Sequence, residues 1–298
     1  MSAAAPPVRT RRRMRPTRIA LHAFLIVTSL AWLFPVLWAL YAALRPYAET
    51  GGSKDGYFSL PRSLTLSNFT NAWSQADFPH YYRNTLMITI PALVITLTLA
   101  SMVAFVVSRY SFRVNLLLLV LFTAGNLMPQ QMLVVPLFQA YRRIPLPEWM
   151  NDKALLFDSY WGVIAVNVGF QVGFCVFVLS NYMKTIPKSL GEAALVDGAS
   201  AFRQWWQVIM PLCRPALAAL ATLQFTWVYN DFLWALVLMQ SGEKRPITSA
   251  LNNLQGVFFT DNNLVAAGAL LAAIPTMIVY FALQKHFISG LTLGADKG

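Results

Sequence analysis

Residues 186–217 read IPKSLGEAALVDGASAFRQWWQVIMPLCRPAL. Inside them EAALVDGAS, Glu192 to Ser200, carries two acids and a glycine and reads as soluble. Yet apolar runs enclose the segment at 160–180 and 215–239. Pro187 ends whatever precedes it. Ser189 is a candidate N-cap with Glu192 three residues on, the spacing of a capping box. A short helix then takes in Glu192, Ala193, Ala194, Leu195 and Val196. Gly198 supplies a break where positive φ is cheap. A second short helix from about Ala201 carries Phe202, Trp205, Trp206 and Ile209, and Pro211 is expected to stop it. The stretch is thus a bent helix pair with an aromatic face to bury. Lying flat on lipid would suit the aromatics. Docking on a partner suits the acids better, because anionic head groups repel Glu192 and Asp197.

The chain around it is apolar. Of 298 residues 57% are hydrophobic and 12% charged, with nine Trp and twenty Phe. Mean hydropathy is +0.51. A soluble domain carries about 25% charged residues, so the composition points to a bilayer as solvent. Six apolar runs, 19–44, 84–107, 116–137, 160–180, 215–239 and 264–284, each have the ~20 residues that a ~30 Å hydrocarbon layer requires. The first is too long for a signal-peptide core and lacks a clear cleavage site. The expected fold is an all-α polytopic membrane protein of six transmembrane helices. A basic tail, 1–18, precedes the 19–284 transmembrane domain, a polar loop, 181–214, joins helices 4 and 5, and 285–298 is a second tail.

Charge orients it. Fourteen of the twenty-three Lys and Arg fall in the two tails and the loops after spans 2 and 4, with three acids. The opposite loops hold nine, with eight acids. The positive-inside rule puts both termini, and with them EAALVDGAS, in the cytoplasm. The net charge of +11 is therefore a topology signal and an anionic-lipid contact, not a nucleic-acid footprint. The loop 45–83 is expected outside, folded over helix ends.

No phosphate-binding GxxxxGK[ST], HExxH, paired-carboxylate or Ser/His/Asp pattern occurs. His22, His80 and His286 are far apart, and Cys175 and Cys213 lack metal-ligand spacing and read as packing residues. No catalytic residue, metal site or cofactor is expected. Polar residues inside spans usually face a bundle interior or cavity. Asn126 and Gln130 stand at i, i+4 in span 3, and Asn167 and Gln171 do so in span 4. In span 5, Gln224, Trp227 and Asp231 share a helical face, with Asn230 adjoining. These residues are the candidates for a path for a polar solute, with Trp227, Tyr229 and Trp234 available to stack on it. Helix gluing by amides is the competing role.

The loop resembles the signature of binding-protein-dependent ABC importer permeases: Glu-Ala-Ala, three residues, Gly, nine residues, Ile-x-Leu-Pro. Glu192, Ala193, Ala194, Gly198, Val208, Met210 and Pro211 stand in register, with Val for Ile and Met for Leu. PQQMLVVPLF (129–138), YNDFL (229–233) and GLTLGADKG (290–298) extend the resemblance to the carbohydrate subfamily, in particular the smaller permease of the maltose type. It implies a coupling loop in which Glu192 contacts a cytoplasmic ATP-binding subunit dimer. Ala193 and Ala194 allow close approach, and Gly198 sets the angle between the helices. It also implies a second homologous permease, an extracytoplasmic solute-binding protein, and a C-terminal tail reaching the ATPase. The solute would be a sugar or oligosaccharide, with a polyol or glycerol phosphate as the alternative. A self-sufficient secondary transporter or channel is the competing class. It would leave the docking loop unexplained, and Asp231 is the one acid placed inside a span.

Overall fold

A computed structural model describes residues 16–51, 56, 59–110, 115–254 and 260–292. Helix α1 spans Pro16–Ala43, α2 Phe78–Arg109, α3 Asn115–Leu127, α4 Val134–Tyr141 and α5 Tyr160–Thr185. After them come α6 (Ser189–Val196), α7 (Ala201–Leu212), α8 (Arg214–Tyr229), α9 (Leu233–Leu238) and α10 (Asn262–Thr292). No strand occurs among the described residues. Among the described residues four helices are long and apolar enough to cross a membrane: Thr17–Ala43, Phe78–Arg109, Tyr160–Thr185 and Asn262–Gln284. The basic tail through residue 15 and the residues beyond Thr292 lie outside the described residues.

The two other apolar runs are not single helices. The expected span 116–137 divides into α3, a 3-10 turn at Gln130–Leu133, and α4. Pro129 explains the division, since it removes a donor and holds the residue before it away from helical geometry. The expected span 215–239 divides at Asn230–Phe232 into α8 and α9. Asn and Asp there compete for backbone groups: Asn230 Nδ2 donates to Thr226 O at 2.8 Å, and Asp231 Oδ1 accepts from Trp234 N at 3.1 Å. Asp231 therefore lies beyond the helix on whose face it was expected.

Helices α2 and α5 form the most extensive pair, and α8 packs on α10 and α2. The seam on α2 is small residues four apart: Ala92, Thr96, Ala100 and Ala104, all fully buried or nearly so. Small side chains let backbones close where lipid supplies no hydrophobic drive between helices. Helix α1 packs on α10, and most of its length is uncovered.

At one end the connecting segments are bonded to the bundle. Asn68 Nδ2 donates to Ala43 O and Arg45 O, and Asn263 Nδ2 to Arg45 O and Thr50 Oγ1, so 45–50 is tied to the start of α10. Ser159 caps α5, accepting from Gly162 N at 2.9 Å. A Cβ on Gly162 would stand 2.4 Å from Leu156 O. Gly162→Ala is expected to cost about 1–3 kcal/mol, as overpacking against backbone does. Thermal unfolding of the purified protein would check it, an unchanged midpoint contradicting the packing described.

Asp158, fully buried, fastens α9 to this end. It accepts from Gln240 N and Ser241 N, both at 2.9 Å, from the Ser241 hydroxyl, and from Lys153 Nζ. Burial pushes its pKa up, but Lys153 and the Ser241 donors outweigh that and hold it below the usual carboxylate range. A depressed folded pKa stabilises above the unfolded value of about 3.9 and is lost as pH falls through the folded one. The stability gap between wild type and Asp158→Asn should therefore be constant from pH 7 to about 5 and shrink as pH falls below about 4. Melting midpoints across that range test it; a gap that widens as pH falls below about 4 would contradict the assignment.

Candidate functional site

Two places bring the expected residues together. The first is the polar loop, 181–214. Helix α6 begins earlier than expected: Lys188, not Ser189, stands at the N-cap, and no side chain caps it. Gly191 N and Glu192 N donate to Lys188 O, so Ser189 is already in the first turn and no capping box forms. Pro187, with φ pre-set for helix entry, accounts for the early start. Gly198 has φ +74°. Gly198 N donates to Leu195 O at 3.0 Å and Ala199 N to Ala194 O at 2.9 Å, the two bonds of a Schellman ending. Ser200 caps α7 by accepting from Arg203 N. Pro211 does not stop α7. The helix runs to Leu212, and a π-helical stretch at Gln204–Ile209 adjusts to a proline that cannot donate back. The break falls at Cys213, where α7 and α8 meet at 79°.

The pair has two unlike faces. Trp205 and Ile209 are buried in a core with Phe105 of α2, Met183 of α5 and Cys213. Arg109 at the end of α2 donates to Ile186 O at 3.2 Å. The loop is thus packed directly on α2, α5 and α8. The other face is bare: Val196 is 88% exposed, Leu195 66%, Phe202 64% and Trp206 57%. Glu192, Ala193, Asp197 and Gly198 are exposed, as is Pro211, and Ala194 is half-buried.

The second place is a cavity of about 500 Å³ where α8 breaks. Its polar walls are Gln130, Asn167, Gln171 and Asp231, and its aromatic walls Phe170, Phe174, Trp227 and Trp234. Irregular backbone at membrane depth is tolerated where it lines a cavity or is buried in protein. Here the break exposes Asp231 to the cavity while its oxygens stay bonded: Asn167 Nδ2 donates to Oδ2 at 2.8 Å and Trp234 N to Oδ1 at 3.1 Å. Trp234 Nε1 donates to Gln130 Oε1 at 3.1 Å, and its ring stacks on Phe170 with centroids 5.4 Å apart. Five of the eight expected path residues thus meet here.

The other three do not line it. Gln224 is fully buried behind the wall and donates to Gln171 Oε1 at 3.4 Å. Asn230 faces away, bonded to Thr226 O. Asn126 lies in α3, but its side chain is outside the described residues. Tyr229, expected to stack on solute, is instead core, its hydroxyl donating to Ala272 O at 2.9 Å. Phe170 and Phe174 were not anticipated. Their signal was present: Asn167, Phe170, Gln171 and Phe174 fall at i, i+3, i+4 and i+7, one face of α5. Cys175 and Cys213 are buried and unpaired, and among the described residues no group of side chains could hold a metal.

Comparison with known proteins agrees with this architecture. The family described as binding-protein-dependent transport system inner membrane component matches residues 84–292. A probable ABC transporter permease protein of Pyrococcus horikoshii is 34% identical over 266 residues, 88% of this chain and 92% of that protein. The diacetylchitobiose uptake system permease protein NgcG of Streptomyces coelicolor is 29% identical, covering 93% of this chain and 88% of its own. The arabinooligosaccharides transport system permease protein AraQ of Bacillus subtilis is 28% identical, covering 94% and 96%. A chain of a bacterial ABC transporter involved in alginate import shares the fold, with a TM-score of 0.75, 24% identity, and coverage of 93% of this chain and all of that one. The chain belongs to the family of binding-protein-dependent transport system inner membrane components and is a multi-pass ABC transporter permease.

Proposed function

We propose that the chain is one permease subunit of an ATP-driven importer for a sugar or oligosaccharide delivered by an extracytoplasmic binding protein. It spans the membrane six times, two of the spans being the broken helices α3–α4 and α8–α9. Both termini and the α6–α7 pair are cytoplasmic. A second homologous permease completes the pore, and the uncovered α1 supports that need for a neighbour. The observation that carries the reading is the two-faced α6–α7 pair, bare outside and bonded inside to three spans. A dimeric ATP-binding subunit seated on the bare face would move α2, α5 and α8 as it closes, by rigid-body gating.

The solute class is supported by the named sugars of the relatives NgcG and AraQ. It is supported too by a cavity of amides, a carboxylate and aromatic rings, the chemistry that meets hydroxyl groups and sugar faces.

Glu192→Lys tests the docking. Glu192 is exposed in the first turn of α6, where an acid is favoured by the helix dipole. The reversal is expected to lower recovery of the ATP-binding subunit with the affinity-purified chain at least about tenfold, the range of a lost charged contact at an interface. The second permease should still be recovered at wild-type levels. Full recovery of the ATP-binding subunit with unchanged transport would remove Glu192 from the interface.

A further inference from the structure

We infer that the cavity at the broken helix selects solutes by charge, admitting uncharged and cationic saccharides and rejecting acidic ones. This rests on reading that cavity as part of the solute path. Asp231 supplies the charge. Each of its oxygens accepts from a separate N–H, Asn167 Nδ2 on Oδ2 and Trp234 N on Oδ1. That pattern fits the acceptor-only carboxylate, since a neutral carboxyl must also place a hydroxyl proton. The two donors are uncharged, so they orient the anion without neutralising it.

Nothing else at the site neutralises it. The other polar walls are the amides of Gln130, Asn167 and Gln171, and no Lys, Arg or His lines the cavity among the described residues. The described ion pairs, Arg45–Glu49, Lys153–Asp158 and Lys244–Asp152, all belong to connecting segments. An unpaired charge between low-dielectric walls is poorly screened and acts on whatever enters.

The amides complete the selection. Gln130 Oε1 is occupied by Trp234 Nε1, leaving its NH₂ for solute. Asn167 spends its NH₂ on Asp231 and Val163 O, leaving its carbonyl. Free donor and acceptor thus share the cavity with Trp227, which is 45% exposed. A neutral saccharide finds hydroxyl partners of both kinds, and an amino sugar also finds a counter-ion. A uronate finds an anion and no cation.

The test uses the assembled importer carrying Gln171→Cys, without its binding protein, so that the cavity is probed alone. Cationic and anionic methanethiosulfonates of matched size are reacted with the introduced thiol, each rate normalised to a free thiol. The unsubstituted chain, whose two cysteines are buried, gives the background. The cationic reagent is expected to react at least about tenfold faster, the low end of electrostatic steering. Adding Asp231→Asn should bring the two rates to within about twofold of each other. Equal rates with Asp231 in place would overturn the inference.

Protection of the same thiol then reads saccharides directly. Cellobiose and the glucosamine dimer should protect it and digalacturonate should not, until Asp231→Asn is added. Equal protection by all three leaves the solute-path reading standing and overturns charge selection. Protection by none, with Trp227→Ala leaving reagent access unchanged, overturns the path reading and this inference with it.

Discussion

Gly198→Val is expected to abolish uptake while the chain still inserts and folds. Gly198 holds φ +74° to close the Schellman ending of α6 and aim α7. An L residue pays about 1–2 kcal/mol for the left-handed region, and a β-branched one is the least tolerated there. A Cβ at this position meets nothing within 4 Å in the chain, so the loss is not a clash within the subunit. It comes from redirecting α7 against α6, which separates Leu195 and Val196 from Phe202 and Trp206 on the bare face. Uptake is expected to fall more than about a hundredfold, because both halves of the contact must be presented together; that corresponds to about 2.7 kcal/mol of coupling. Asn accepts the left-handed region more readily. Gly198→Asn should keep much of the uptake if conformation is the requirement. If Asn fails as completely as Val, the glycine is needed for close approach to the ATP-binding subunit instead. Wild-type uptake by Gly198→Val would show that the bend has no part in coupling.

The second large effect is expected at the cavity. Asp231→Ala takes the acceptor from Trp234 N and one of the two acceptors from Asn167 Nδ2, which keeps Val163 O. A donor left without its partner costs up to about 1–3 kcal/mol, and here two part-buried donors lose one in the wall where the helix breaks. Transport at equal membrane levels should fall at least about tenfold. Asn167→Ala alone should cost less, since Trp234 N keeps its partner. The double substitution should be little worse than Asp231→Ala, as it must be when two residues act through one bond. Additive losses would mean that the pair is not a unit. Unchanged transport in all three would take both residues off the path.

Much of this was legible beforehand, for identifiable reasons. Four apolar runs became continuous helices; even Pro35, Pro91 and Pro275 sit within α1, α2 and α10. The runs at 116–137 and 215–239 look equally apolar, but Pro129 and the Asn230–Asp231 pair outweigh hydrophobicity over two or three residues. Hydropathy averages over a window and cannot register that. Of the amides picked out by helical spacing, Gln130, Asn167 and Gln171 line one cavity. The same logic misplaced Asn230, whose side chain bonds its own helix, and Tyr229, which found Ala272. Helical phase depends on knowing where the helix ends. The small-residue seam Ala92, Thr96, Ala100 and Ala104 was available as a four-residue spacing, though composition alone does not say which side of a span faces its neighbour. At the loop, Gly198 was readable because only its backbone is unusual; the Ser189 cap was misread because Pro187 starts the helix early.

On the proposed function, α6–α7 is the handle by which a separate ATP-binding subunit drives this permease. Val196, with 88% of its surface exposed at the tip of the bare face, is the place to ask. In native membranes, Val196→Cys with a short thiol cross-linker should yield one dominant adduct, to the ATP-binding subunit, with a yield that changes when ATP is added. An adduct to lipid alone, or none at a position so exposed, would contradict it.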